Sequence, residues 1–262
     1  MAASGSSATD AASAAPAPNV DAGEVARFAA LAARWWDEDG PAAPLHRLNP
    51  ARLDFIRRTA LVHFGRPAAA RAPFTGLAAV DVGCGGGLVA EPLMRMGFSV
   101  LGIDADETAI AVARRHAAEM ELGEGLSYRV ATAEALVAEG AAFDLVCCLE
   151  LIEHVPRPRR LVSDLVHLAR PGGLIVLSTL NRTARSFLAA ILGAEYLLGW
   201  LPRGTHDWNR FLKPEELAAW LAEDGAQETA RAGIVYDACR DRFRLGDDTR
   251  VNYLVAAVRN RR

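Results

Sequence analysis

The chain has 262 residues, 51% of them hydrophobic and 23% charged, with a formal net charge of −3. Those proportions suit a soluble globular protein built on one α/β domain, and the slight acidity excludes a surface-wide basic field of the kind that holds nucleic acid. The four cysteines, Cys84, Cys147, Cys148 and Cys239, form neither a CxxC pair nor a disulfide framework. They read as small buried hydrophobes in a reducing compartment. No apolar stretch is long enough to span a bilayer, so a cytoplasmic location is expected.

Residues 1–19 are rich in Ala and Ser and nearly free of bulky apolar side chains. Such a segment cannot bury enough surface to offset its ordering entropy, and a disordered tail is expected. It carries Asp10 and no Arg or Lys, unlike a transit peptide, and lacks the basic start and apolar core of a secretory signal. From residue 20 to 262 the pattern is that of one domain. Residues 23–36 read as a helix with Val25, Phe28, Ala29, Ala32 and Trp36 on one face. A loop over 37–49 follows, and Pro50 is expected at the first position of a second helix, where its missing N–H costs nothing. Strands are then expected at 77–82, 99–103, 126–130, 143–149 and 174–178, with helices at 88–96, 107–120 and 159–169. After an insertion over about 181–213, a helix at 214–221 and two strands near 233–236 and 253–258 complete the chain.

Near-continuous apolar strands separated by helices imply a doubly wound, mostly parallel sheet covered on both faces. Seven strands are expected, with helices ahead of the first and an insertion after the fifth. Right-handed crossovers would place a ligand at the carboxyl ends of the strands, near the switch in strand order.

The run Val80-Asp81-Val82-Gly83-Cys84-Gly85-Gly86-Gly87 closes the first strand and opens the next helix, so backbone can approach a ligand with no Cβ in the way. A dinucleotide fingerprint needs G-x-G-x-x-G/A, but the sixth position counted from Gly83 is Leu88. The run is G-x-G-x-G preceded by the acid Asp81, and it resembles the first motif of class I methyltransferases. Leu101-Gly102-Ile103-Asp104 ends the second strand in an acid about twenty residues beyond the glycines, placed to accept two ribose hydroxyls. The competing use of Asp104 is to cap the helix near Glu107. Ala133-Glu134 after the third strand resembles the adenine-flanking position of methyltransferases. Phe143-Asp144-Leu145-Val146 and Ala169-Arg170-Pro171-Gly172-Gly173 resemble the opening of their fourth strand and the turn into their fifth.

Leu149-Glu150-Leu151-Ile152-Glu153-His154-Val155-Pro156 follows the fourth strand. If it makes a helical turn, Glu150, Glu153 and His154 share a face by their i, i+3, i+4 spacing. Three uses are open to that face: ligands of a hard divalent cation, a general base at His154, or a partly solvated turn with no chemistry. His206-Asp207 reads as a loop contact in preference to a catalytic dyad, because adjacent residues on a strand point opposite ways. Trp35, Trp36 and Trp200 read as packing or lid residues.

Several stretches are similar to one family, the O-methyltransferases of ubiquinone biosynthesis. They include residues 28–37, Leu45-His46-Arg47-Leu48-Asn49-Pro50, the glycine run, residues 150–155, Ser178-Thr179-Leu180-Asn181-Arg182, Gly204-Thr205-His206-Asp207 and Val251-Asn252-Tyr253. The resemblance runs from about Val20 to the C-terminus. It implies S-adenosylmethionine as methyl donor and phenolic oxygens of polyprenylated catechol and demethylubiquinol intermediates as acceptors. By motif, Arg52, Gly83, Asp104 and Leu149 would contact the cofactor, joined by Asp81, Gly85 and Glu134. The mitochondrial members of the family imply a magnesium ion on Glu150, Glu153 and His154. His154 as general base is the other way to activate the acceptor, and both remain open at this level. Other small phenolic or nitrogen acceptors, and a non-catalytic S-adenosylmethionine-binding protein, are the alternatives.

The insertion carries Arg182 and Arg185 ahead of the apolar runs 186–192 and 196–202. It reads as a buried lid or as an interfacial segment with its arginines at lipid headgroups. A polyprenyl acceptor lives in a bilayer, so weak contact with the anionic inner membrane face and with other enzymes of the pathway is expected.

Overall fold

Strands form where the chain runs apolar without interruption. In the computed structural model, which describes residues 19–32, 34–186, 208–237, 240 and 242–261, the parallel strands are β1 (Ala78–Val82), β2 (Ser99–Asp104), β3 (Leu126–Val130), β4 (Phe143–Leu149) and β5 (Ala169–Leu180). They join β6 (Ala226–Asp237), β7 (Arg242–Gly246) and β8 (Asn252–Arg259) in one sheet of order β3-β2-β1-β4-β5-β8-β6-β7. β3 to β5 pair in parallel, β8 is antiparallel to both β5 and β6, and β7 pairs antiparallel on the edge. The order reverses between β1 and β4, which opens a crevice at their carboxyl ends.

The side-chain period of two sorts each strand between two cores. On β4, Leu145, Cys147 and Leu149 face the layer of α2 (Ala43–His63), α3 (Ala90–Arg95) and α4 (Glu107–Glu119). Val146 and Cys148 face α5 (Ala133–Ala138), α6 (Pro158–Leu168) and α8 (Pro214–Glu223). Cys84, Cys147 and Cys148 are buried and free, as the composition implied. α1 (Ala22–Ala32) lies outside both layers, and α7 (Ala184–Ser186) is a single turn.

The doubly wound architecture is the expected one, with four departures. An eighth strand, β7, extends the sheet. Its five residues alternate, with Phe243 and Leu245 packed inward, too short a run to stand out from a loop. The six-residue helix α5 was too short to show a period, and its signal is the cap Thr132, which accepts from the Ala135 N–H. α1 ends at Ala32, before Trp36. α2 starts at Ala43 with Pro44 in its first turn, so Pro50 lies inside the helix. There it removes one backbone hydrogen bond at a cost of about 3 kcal/mol. Burial of Phe55 and Ile56 against the sheet, worth about 1.5–3 kcal/mol each, offsets it and carries the helix through.

Asn19, read as part of the tail, is buried and hydrogen-bonded. The rest of the tail, the apolar runs of the insertion, Trp200 and His206-Asp207 lie outside the described residues, and so does the basis for lipid contact. Among the described residues no helix is long and apolar enough to cross a membrane.

Candidate active site

The carboxyl ends of β1, β2 and β4 open into a cavity of about 650 Å³, within the range of small-molecule sites. Its polar end is formed by Arg52, Asp81, Asp104, Glu150, Glu153 and His154. Its apolar wall includes Phe28 and Leu48 from the helices and Ile234, Val235, Tyr236 and Phe243 from the β6–β7 hairpin. Leu149 ends β4 at the cavity wall, and Glu134 lines it from the first turn of α5.

The glycine run makes the floor. Gly83, Gly85 and Gly87 have φ of 76°, 51° and 97°, the left-handed region that glycine enters without a Cβ penalty. At Gly85 a Cβ would lie 2.3 Å from the Trp35 ring, and at Gly86 2.4 Å, so the glycines also admit the indole. The loop is tied to β2: Gly83 and Cys84 N–H donate to Ile103 O at 2.8 and 3.0 Å, and Gly85 N–H to Asp104 Oδ2 at 2.9 Å.

Asp104 does not cap α4. Asp106 does, accepting from the Thr108 N–H at 2.8 Å, while Asp104 Oδ1 accepts from the Asp106 N–H. Burial holds the Asp104 carboxyl above the usual range, against the backbone donors of Asp106 and Gly85. Asp81, 3% exposed, is pushed up to about 7 by burial and by the charge of Asp104, with Arg52 pulling the other way. Its Oδ2 has no hydrogen-bond partner, and neither do Nε and Nη2 of the buried Arg52. Buried groups left in this way call for a ligand. An amino-acid end carrying an ammonium and a carboxylate would satisfy both, and a ribose diol would meet Asp104. The residues therefore fit S-adenosylmethionine.

The expected magnesium ligands are near one another but are not assembled. Glu150 leaves β4 with φ 53°, a left-handed conformation costing about 1–3 kcal/mol for a non-glycine residue, and only Ile152–His154 form a helical turn. That break dissolves the shared face read from the spacing. Glu150 Oε1 instead accepts from Ser178 Oγ at 2.7 Å and Asn252 Nδ2 at 3.0 Å, and lies 3.3 Å from Arg52 Nη2. Glu153 Oε2 accepts from Thr179 Oγ1 at 2.8 Å, and its Oε1 is buried without a partner. Burial, then the charge of Glu150, pushes the Glu153 carboxyl to about 7, with His154 opposing. His154 Nδ1 is 2.9 Å from Glu24 Oε2. Among the described residues no group of three His, Cys, Asp or Glu side chains is arranged to hold a metal ion. The cation facing Glu150 is already Arg52, so the residues as placed do not fit magnesium.

Burial opposes the charged form of His154, but the hydrogen bond to Glu24 and the charges of Glu153, Glu24 and Glu150 outweigh it and raise its pKa. The same hydrogen bond lowers that of Glu24, against burial. Both shifts describe one ion pair, consistent in sign.

Sequence spacing missed the cover of this site. Residues 19–32 and 34–36 lie along it, with Asn19, Asp21, Glu24, Phe28 and Trp35 among its lining. The Asn19 side chain donates to Arg157 O and accepts from Arg157 N–H, while Asn19 N–H donates to Glu134 Oε1. Phe28 meets the His154 ring edge-on at 5.2 Å. At the far end Trp36 Nε1 donates to Gly86 O, and its indole stacks on His116, which pairs with the buried Glu91. Trp35 and Trp36 are thus packing residues, as read. The sequence signals for the cover were the apolar face of α1 and the Trp35-Trp36 pair read as packing or lid.

Residues 80–177 match a family model described as a methyltransferase domain. The chain is 50% identical over 253 residues to the ubiquinone biosynthesis O-methyltransferase of Caulobacter vibrioides, covering 96% of this chain and all of that one. It is 49% identical to that of a Methylobacterium species, covering 92% and 96%. Among solved structures, magnesium protoporphyrin IX methyltransferase from Synechocystis with bound SAH superposes with a TM-score of 0.56 at 23% identity, over 79% of this chain and 81% of that one. The YcgJ protein of Bacillus subtilis gives 0.56 at 16%, over 80% and 98%. These likenesses show the fold, doubly wound with a mostly parallel sheet.

Proposed function

The chain belongs to the family of ubiquinone biosynthesis O-methyltransferases, and on that premise we propose how its cavity works: the donor lies on the glycine loop and His154 activates the phenolic acceptor. The protein is an S-adenosylmethionine-dependent O-methyltransferase of ubiquinone biosynthesis. The acceptor we assign is a phenolic hydroxyl of a polyprenylated catechol or demethylubiquinol, an apolar molecule suited to the wall formed by the β6–β7 hairpin.

When bound, S-adenosylmethionine supplies a methyl group on a sulfonium, open to in-line displacement. Arg52 would pair with its carboxylate, Asp81 with its ammonium and Asp104 with its ribose, while Glu134 and Leu149 would lie beside the adenine. These contacts fix donor against acceptor, which is most of what a displacement asks of a protein. A phenol near pKa 10 is a poor nucleophile at neutral pH. His154, lining the same cavity as the orphaned Asp81 and Arg52 atoms, takes its proton as the oxygen attacks. That juxtaposition carries the reading.

Purified protein assayed with labelled methyl donor and a prenylated catechol tests it. His154→Ala should lower kcat by about 10²–10⁴-fold with little change in donor affinity. A wild-type rate in that variant overturns the base. So does activity lost in EDTA and restored by Mg²⁺.

A further inference from the structure

The cavity has two ends, and the donor takes one of them. The glycine loop, Asp104 and Glu134 gather beyond the carboxyl ends of β1, β2 and β3. Across the sheet order, the other end lies between Leu45 and Leu48 of α2 and the β6–β7 hairpin. Asn252 marks where the polar lining gives way. Its Nδ2 donates to Glu150 Oε1 at 3.0 Å, and it pairs in register with Ile234. From there the β6 wall is Ile234, Val235 and Tyr236. Asp248 lines this end too, but its two carboxylate oxygens accept from Nε and Nη2 of Arg250, each at 2.8 Å.

On the hairpin, Ile234 stands opposite Leu245 and Tyr236 opposite Phe243. Strand alternation therefore places all four side chains on one face. That face is turned to α2, because Ile234, Phe243 and Leu245 pack with Leu48 and Leu53. Tyr236 lies two residues beyond Ile234, about 7 Å along the strand. Its ring centroid is 5.1 Å from that of Phe243, with the planes inclined at 50°. Phe243 is half-buried and Tyr236 is 37% exposed, so the two rings lead from the cavity wall to the surface. Phe243 is also the one residue that β7 contributes to the lining. The wall is preformed: a Cβ at Gly233 would lie 1.9 Å from Asp248 O, so the backbone of the turn after β7 rests directly on β6.

We propose that this end of the cavity is the subsite for the acceptor's prenyl chain, with Tyr236 and Phe243 as the residues that select for it. This rests on the reading of the acceptor as a prenylated phenol and is indifferent to what takes its proton. A hydroxylated ring needs hydrogen-bonding neighbours, which the polar end at Glu150 and Asn252 offers. The chain attached to that ring has no polar atom, and leaving water for the wall of α2 and the hairpin stabilises it. It then passes the two rings on its way out.

The experiment measures kcat/KM in the full chain for an unprenylated catechol and for the same catechol carrying a three-unit prenyl chain. The wild type should favour the prenylated acceptor by at least about tenfold. Tyr236→Ser and Phe243→Ser should each cut that ratio by at least about threefold, with donor Kd within about twofold of the wild type. Tyr236→Phe, which keeps the ring, should keep the ratio. So should Val62→Ser, a change at an 85% exposed apolar residue of α2 outside the cavity lining. Unfolding temperature checks folding, and if Phe243→Ser unfolds, the exposed Tyr236 position decides. A wild type with no preference, a Tyr236→Ser variant with the wild-type ratio, or an equal fall in Val62→Ser overturns the proposal. If the wild type methylates neither catechol, the acceptor reading itself fails and the subsite with it; if it methylates both equally, only the subsite fails.

Discussion

Replacing Arg52 by methionine keeps most of the stem of a side chain 4% exposed and removes its charge. Nε and Nη2 have no hydrogen-bond partner in the protein, so beyond its 3.3 Å ion pair with Glu150 the guanidinium keeps N–H donors for an incoming carboxylate. A hydrogen bond between charged partners is worth about 1.5–3 kcal/mol, and at 1.4 kcal/mol per decade that is about 10- to 150-fold in donor affinity. The fold also loses the cation facing Glu150 at 3.3 Å. Removing one partner of a buried pair costs about 3–5 kcal/mol. The lower end applies, because Glu150 keeps its bonds from Ser178 and Asn252 and is 16% exposed. Calorimetric titration of wild type and Arg52→Met with S-adenosylmethionine and with its decarboxylated analogue separates the two effects. The wild type should prefer the carboxylated ligand by about 10- to 150-fold, and the variant should lose that preference while circular dichroism shows it folded. The same ratio in both proteins refutes the pairing.

Asp104→Ala should weaken donor binding by about 1–3 kcal/mol and lower the unfolding temperature, since Gly85 and Asp106 N–H both lose their acceptor. Unchanged affinity in a folded variant removes Asp104 from the ribose site. The rate should also depend on pH with a definite sign. The pKa of His154 is raised and a base must be neutral, so kcat should climb with pH through an inflection above the ordinary imidazole value of about 6.5. Glu24→Gln removes one of the charges that raise it and should move the inflection down. A pH–rate profile with its inflection below the ordinary value, or one that Glu24→Gln leaves in place, contradicts the pair.

Local rules reach as far as local geometry does. The strand–glycine–helix corner was legible because φ of 51° to 97° at Gly83, Gly85 and Gly87 is a demand on single residues. Asp104 was legible because a strand end at a known spacing has a known place in a doubly wound sheet. The spacing of Glu150, Glu153 and His154 was legible too, but what it meant was not. Arg52 from α2 and Asn252 from β8 claim Glu150, and a left-handed turn at Glu150 breaks the helical face that spacing alone suggests. Pro50 reads as a helix start until the burial of Phe55 and Ile56 carries α2 past it. Glu24 carries no mark at all in the sequence, because an acid in a first helical turn is ordinary. It becomes part of the site only when α1 is laid over the turn after β4, 130 residues away at His154, and such a contact is set by packing between layers, which no local periodicity encodes.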